Sequence, residues 1–235
     1  MFIFAHVFSG ALIGTGFFYL TGDRRAFPLC IFGAILPDLL DKPLALLLSD
    51  YLGAGRTLGH TLLFFSILFA LGIFLWYYRD SLLGMAFAFA VFSHQILDAM
   101  WLLSQTWLYP LMGPFPGMIL PDYIWRNFWL ELSCPSEWVF GISVLIIAGM
   151  VYMGGTGVRK MAPVRLPAAL LLGVMGGYLL FSGFTALSQA FPAPTYSPET
   201  NVMAGLLALV GTIILLAWPL SDRSPAISRE PDSPE

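Results

Sequence analysis

A chain of 235 residues that is 58% hydrophobic and only 11% charged, with a mean hydropathy of +0.79, is too apolar for a water-soluble domain. Its net charge of −3 is small and spread over the connections, which excludes the basic surface that a nucleic-acid partner requires. What remains is an integral membrane protein built as one domain.

Hydrophobic runs of spanning length, about 20 residues each, predict seven helices at roughly 2–20, 27–48, 60–78, 82–103, 136–153, 165–187 and 201–220. The fold class is therefore all-α, a polytopic transmembrane bundle filling 1–220. A disordered cytoplasmic tail is expected over 221–235, where Pro225, Pro231 and Pro234 stand among charges. The first run follows Met1 with no basic segment and no small-residue cleavage site before Asp23, so it is expected to stay as a helix. Arg24, Arg25, Arg79, Arg159, Lys160, Arg165, Arg223 and Arg229 fall on alternate connections, which predicts those connections to be cytoplasmic, with the N-terminus outside and the C-terminus inside. The expected location is the inner or plasma membrane. Cys30 and Cys134 then lie at opposite faces, too far apart for a disulfide, and are expected to act as small apolar residues.

Along the chain, the polar residues inside the apolar runs gather at one depth. His6 lies near the outer end of the first helix, Asp38 and Asp41 in the outer half of the second, His60 at the outer start of the third, and His94 with Asp98 in the outer half of the fourth. An ionised Asp near the centre of a spanning helix is unfavourable by about 3 kcal/mol, so three carboxylates need partners. Asp38 and Asp41 are spaced i, i+3 and His94 and Asp98 i, i+4, which puts each pair on one helix face. Pro37 and Pro43 bracket the first pair and predict a kinked or broken helix lining a cavity. His and Asp together suit zinc, manganese or iron, and a shared cation would compensate the carboxylates and use the imidazoles.

Arg56 precedes His60 by one helical turn and can offer a bidentate contact to phosphate or carboxylate, or anchor the helix at headgroup level. A connection over 104–135 carries Trp107, Tyr109, Pro110, Pro114, Pro116, Trp125 and Trp129. Within it Ile124, Trp125, Phe128, Trp129 and Leu132 share one helical face, which predicts a short interfacial helix. That segment reads as an aromatic anchor or as a lid over a site. Glu137, at the start of the fifth helix, is a further ligand, a base, or a favourable charge at a helix N-terminus. Gly10 with Gly14, and Gly173 with Gly177, have the GxxxG spacing of packing surfaces.

His6, the run Gly33-Ala34-Ile35-Leu36-Pro37-Asp38-Leu39-Leu40-Asp41-Lys42-Pro43, the stretch from Gly55-Arg56 to His60-Thr61, and His94-Gln95-Ile96-Leu97-Asp98 followed by Tyr109-Pro110 occur in that order over roughly 1–140. In this the chain resembles the membrane-bound metal-dependent hydrolases, also called LexA-binding, inner-membrane-associated hydrolases. Many members have Asp-x-Asp where this chain has Asp38-Leu39-Leu40-Asp41, and a His-Arg-Gly-x-Thr-His-Ser run where it has Gly55 and Gly59-His60. It thus resembles a variant branch lacking one ligand.

The expected function is a metal-dependent hydrolase in the outer half of the bilayer, acting on a lipid or other phosphoester. His6, Asp38, Asp41, His60, His94 and Asp98 would hold one or two divalent cations, zinc or manganese, with Arg56 and Glu137 as catalytic candidates. The alternative is a proton- or cation-coupled transporter using the same cluster. Membrane lipids and a small-molecule or lipid substrate are the expected partners, with no nucleic acid and no sequence signal for an oligomeric state.

Overall fold

The computed structural model describes residues 3–47, 55–115, 123–187 and 197–218. Among them the chain is all helical. Helix α1 spans Ile3–Thr21 and α2 spans Ala26–Leu47; a 3-10 turn, Leu58–His60, then leads into α3, Leu62–Arg79, and α4, Leu83–Leu97. A second 3-10 turn, Met100–Leu102, and the short α5, Ser104–Trp107, follow. Then come α6, Tyr123–Ser133, α7, Pro135–Lys160, α8, Ala162–Leu187, and α9, Pro198–Ala217.

Each of the seven predicted runs is thus a long helix. Five of them, within α1, α3, α7, α8 and α9, are long and apolar enough to cross a membrane. Helix α2 matches them in length at 22 residues but carries Asp38, Asp41 and Lys42, and α4 has only 15 residues. Fifteen residues at 1.5 Å each reach about 22 Å, short of the roughly 30 Å hydrocarbon core. The fourth helix therefore stops well before the expected residue 103. It ends because Ala99 adopts the left-handed conformation, at φ 51°, immediately after the carboxylate of Asp98 is gripped by neighbouring elements. Helix α2, by contrast, runs on through Pro37 and Pro43 rather than breaking at them.

Helices α1 and α2 pack face to face, α2 and α3 pack on α4, and α1 also contacts α4 and α7, while α8 and α9 form an antiparallel hairpin. Apolar side chains from α1, α7, α8 and α9 make one core around Phe8, Phe140, Ile147, Leu172 and Leu215. The α1–α2 contact is close because a Cβ on Gly10 would sit 2.8 Å from the Ala34 Cβ, and one on Gly14 would sit 2.7 Å from the Phe27 Cα. That first GxxxG pair is a packing surface. The second packs at one end only: a Cβ on Gly173 would meet Thr212 of α9 at 3.4 Å, one on Gly177 would meet nothing within 4 Å, and Gly176, Gly183 and Gly205 make the close α8–α9 approach. Helix α3 exposes Ile67, Leu71, Phe74 and Trp76, as a lipid-facing helix should. Cys30 and Cys134 are both buried and form no disulfide.

Helix α6 confirms the expected short helix, with Phe128, Trp129 and Leu132 exposed and Glu131 turned inward and buried. Burial pushes the Glu131 carboxyl up to about 7. Pro116, the side chain of Trp125 and the tail 221–235 lie outside the described residues.

Candidate metal centre

Four elements bring the polar residues to one end of the bundle. Helix α1 supplies His6, α2 supplies Asp38 and Asp41, the 3-10 turn supplies His60, and the last turn of α4 supplies His94 with Asp98; all six are buried. His60 therefore sits in a tight turn before the third helix rather than inside it. Thr61 caps α3 by accepting from the Phe64 N–H at 3.0 Å, and this fixes where the turn ends.

The tautomers follow from the acceptors. His94 Nδ1 lies 2.6 Å from the Ala34 carbonyl oxygen, which can only accept, so Nδ1 carries the proton and Nε2 the lone pair of the neutral ring. His60 Nδ1 donates to Asp41 Oδ2 at 2.7 Å, and the same carboxylate accepts from the Thr57 N–H at 2.6 Å and the Gly59 N–H at 2.9 Å. Both Nε2 atoms consequently face one another, 3.1 Å apart. Two lone pairs at that separation repel unless a proton or a cation lies between them. His6 stacks on His94 with ring centroids 3.9 Å apart, and its Nε2 is 3.2 Å from Asp98 Oδ1.

Two carboxylates close the arrangement. Asp38 Oδ1 is 3.7 Å from His60 Nε2 and 3.8 Å from His94 Nε2, and has no hydrogen-bond partner among the described residues. The point equidistant from these three atoms lies about 2.1 Å from each, the length of a zinc–nitrogen or zinc–oxygen bond. Asp98 Oδ2, 3.5 Å from His60 Nε2 and 4.0 Å from His94 Nε2, gives the same radius of about 2.1 Å in place of Asp38. The donors fit a divalent cation. A second group that could hold an ion, His6 with His94 and Asp98, shares His94 with the first.

The carboxylates also have basic partners. Arg56 Nε lies 2.9 Å from Asp98 Oδ2 and Lys42 Nζ lies 3.1 Å from Asp38 Oδ2, so three carboxylates face two fixed cations. Asp41, the third, is met instead by His60 Nδ1 at 2.7 Å.

Asp41 differs from the other predicted ligands. Both its oxygens are engaged by backbone N–H groups and by His60 Nδ1, and it belongs to neither ligand group. Its place is behind His60, the position from which a carboxylate orients a ligating imidazole. Glu137 also stands apart from the groups: its Oε2 accepts from the Phe4 N–H at 2.7 Å, satisfying a donor at the open start of α1 two residues before His6. Arg56 lines a cavity of about 300 Å³ beside His6 and Asp98.

Two further polar residues, Gln95 and Lys42, support the cluster. Gln95 donates to the carbonyls of Gly59 at 3.2 Å and Thr61 at 2.9 Å and accepts from Trp107 Nε1 at 3.0 Å, tying the 3-10 turn to α4 and α5. A carboxamide in an otherwise apolar helix was the signal for it. Lys42, four residues after Asp38, was visible as the only cation in that run.

No curated protein and no solved structure matches the chain. Residues 1–188 match the sequence profile of the YdjM inner membrane proteins, a span that includes every residue of the cluster. With its membrane-crossing helices, this makes the chain a multi-pass inner membrane protein. The chain belongs to the YdjM inner membrane protein family.

Proposed function

We propose that the chain is a metal-dependent hydrolase whose site, in the outer half of the bilayer with the N-terminus outside, acts on a phosphoester. The observation that carries this reading is the set of His60 Nε2, His94 Nε2 and Asp38 Oδ1 around one point at bonding distance for a divalent cation, beside a cavity lined by Arg56. His60, His94, Asp38 and Asp98 would hold the ion, zinc or manganese, with His6 completing a second group. When bound there, the ion supplies Lewis acidity to a phosphoryl oxygen and acidifies water.

The chain's own residues do the rest. Asp41 and the Ala34 carbonyl keep the Nε2 lone pairs aimed inward. Arg56 places positive charge where a phosphoryl group gains negative charge. Glu137 holds the start of α1 and so positions His6.

The test is turnover of a soluble phosphodiester and of a phospholipid by zinc- or manganese-loaded protein. Wild type is expected to turn over at least one of them, with a loss of at least 100-fold in His94→Ala and Asp98→Ala. Turnover intact in either variant would refute the proposal. A second reading, a proton- or cation-coupled transporter, is favoured by the 3.1 Å His60–His94 contact, which a single proton can bridge. It requires proton or cation flux that both variants abolish.

A further inference from the structure

The cavity beside Asp98 does not end in the polar cluster. It is lined also by the start of α9, through Ser197, Glu199 and Thr200, and by Leu97. Leu97 in turn lines a second, apolar cavity of about 600 Å³ that opens on the lipid-facing side between α1, α4 and α9. The same three helices wall both. On α1 the polar cavity is reached at Ala5 and His6, and the apolar groove runs from Ser9 to Leu20. On α9 the polar cavity takes Glu199, Thr200 and Ala204 and the apolar groove Met203 to Val210, so the two overlap there. The two adjoin at Leu97, and together they trace a furrow along these helices. From Ser9 to Leu20 it extends about 16 Å along α1, toward that helix's cytoplasmic end.

A glycine marks the groove wall. A Cβ on Gly16 would meet nothing within 4 Å, in contrast to Gly10 and Gly14 of the same helix, whose missing side chains let α2 approach. Gly16 thus leaves the groove wall open, with no side chain standing in it.

We propose that this furrow seats one membrane phospholipid: an acyl chain in the apolar groove, and the headgroup in the polar cavity beside His6 and Asp98. The head is zwitterionic, as in phosphatidylethanolamine, with its phosphate toward the Arg56 guanidinium and its ammonium toward Glu199, both of which line the cavity. A lipid enters sideways from the bilayer, with no passage through water. This names the substrate of the hydrolase reading and rests on that reading only for what happens to the head.

The test is photo-crosslinking in vesicles, with the full chain and phosphatidylethanolamine bearing a diazirine on one acyl chain, mapped by mass spectrometry. Labelling is expected to exceed that on the equally lipid-exposed Ile67, Leu71 and Phe74 of α3 by tenfold or more at 13–20, 89–97 and 203–210. Gly16→Trp, or Val210→Trp on the opposite wall, is expected to cut the groove labelling at least fivefold and leave the α3 background unchanged. Even labelling of α3 and the groove, or groove labelling indifferent to both substitutions, would overturn the proposal. Diacylglycerol with the same chain is expected to label the groove at least fivefold less, and equal labelling would overturn the headgroup assignment. Glu199→Gln is expected to erase a preference for phosphatidylethanolamine over phosphatidylglycerol; a preference that survives would overturn the ammonium contact. Labelling needs no turnover, so a chain labelled in its groove but inactive on every phosphoester would sink the hydrolase reading and leave the lipid site standing.

Discussion

Replacing Asp41 by Asn separates orienting a ligand from being one. The carboxylate accepts three hydrogen bonds, from His60 Nδ1 at 2.7 Å, the Thr57 N–H at 2.6 Å and the Gly59 N–H at 2.9 Å. Asn can keep the two on the Oδ2 side by placing its amide oxygen there, but its NH₂ then faces the Gly59 N–H. One charge-assisted bond, worth roughly 1.5–3 kcal/mol, is lost, and two fall to the neutral value of roughly 0.5–1.5 kcal/mol. The expected destabilisation is about 5 kcal/mol. His60 keeps its ring but loses the anion that raises its basicity, so metal affinity should fall roughly 10–100-fold, the usual effect of removing such a partner. Competition against a chromophoric zinc chelator measures this in detergent-solubilised protein, with thermal unfolding run alongside. Affinity within twofold of wild type would refute the orienting role. A loss as complete as that of His94→Ala would make Asp41 a ligand, against the engagement of both its oxygens.

A methyl group on Gly59 would lie 2.9 Å from Pro37 Cα and 3.0 Å from Pro37 O, both backbone atoms, so Gly59→Ala should displace the 3-10 turn and lower metal affinity at least tenfold without removing a ligand; unchanged affinity in equilibrium dialysis would contradict the packing. Gln95→Ala removes three hydrogen bonds and leaves buried carbonyls and the Trp107 indole without those partners, which should destabilise the fold by about 2–4 kcal/mol, read as a lowered Tm. Glu131 has its folded pKa raised from 4.5 to about 7. Between those values the folded state keeps a proton that the unfolded state releases, so stability should fall as pH rises through that window and level off above it. Glu131→Gln should flatten the dependence, and a variant whose Tm between pH 4.5 and 8 tracks wild type would show that Glu131 does not cause it.

The helices were legible because each is a long apolar run, and the membrane makes such runs unambiguous. The end of α4 was not: Asp98-Ala99-Met100-Trp101 contains neither Gly nor Pro, and the chain turns there through a left-handed alanine beside a carboxylate held by other elements. The polar cluster was legible as a set, since the cost of burying His6, Asp38, Asp41, His60, His94 and Asp98 is visible residue by residue. What spacing could not give was the division of labour. Asp38 and Asp41 share a helix face, and only the path of the 57–60 backbone puts its N–H groups on one carboxylate and leaves the other facing the histidines. The start of α9 was invisible as a cavity wall because it lies about a hundred residues beyond the cluster and carries no histidine.

Metal content per chain is the most direct measurement, by elemental analysis of protein purified without chelators and then reloaded with zinc or manganese. The His60–His94–Asp38 geometry predicts one or two ions per wild-type chain and a loss of at least 90% in a folded His94→Ala, Asp98→Ala variant. Wild type that takes up no ion after reloading would contradict the metal centre, and leave a proton shared between His60 and His94 to account for their contact.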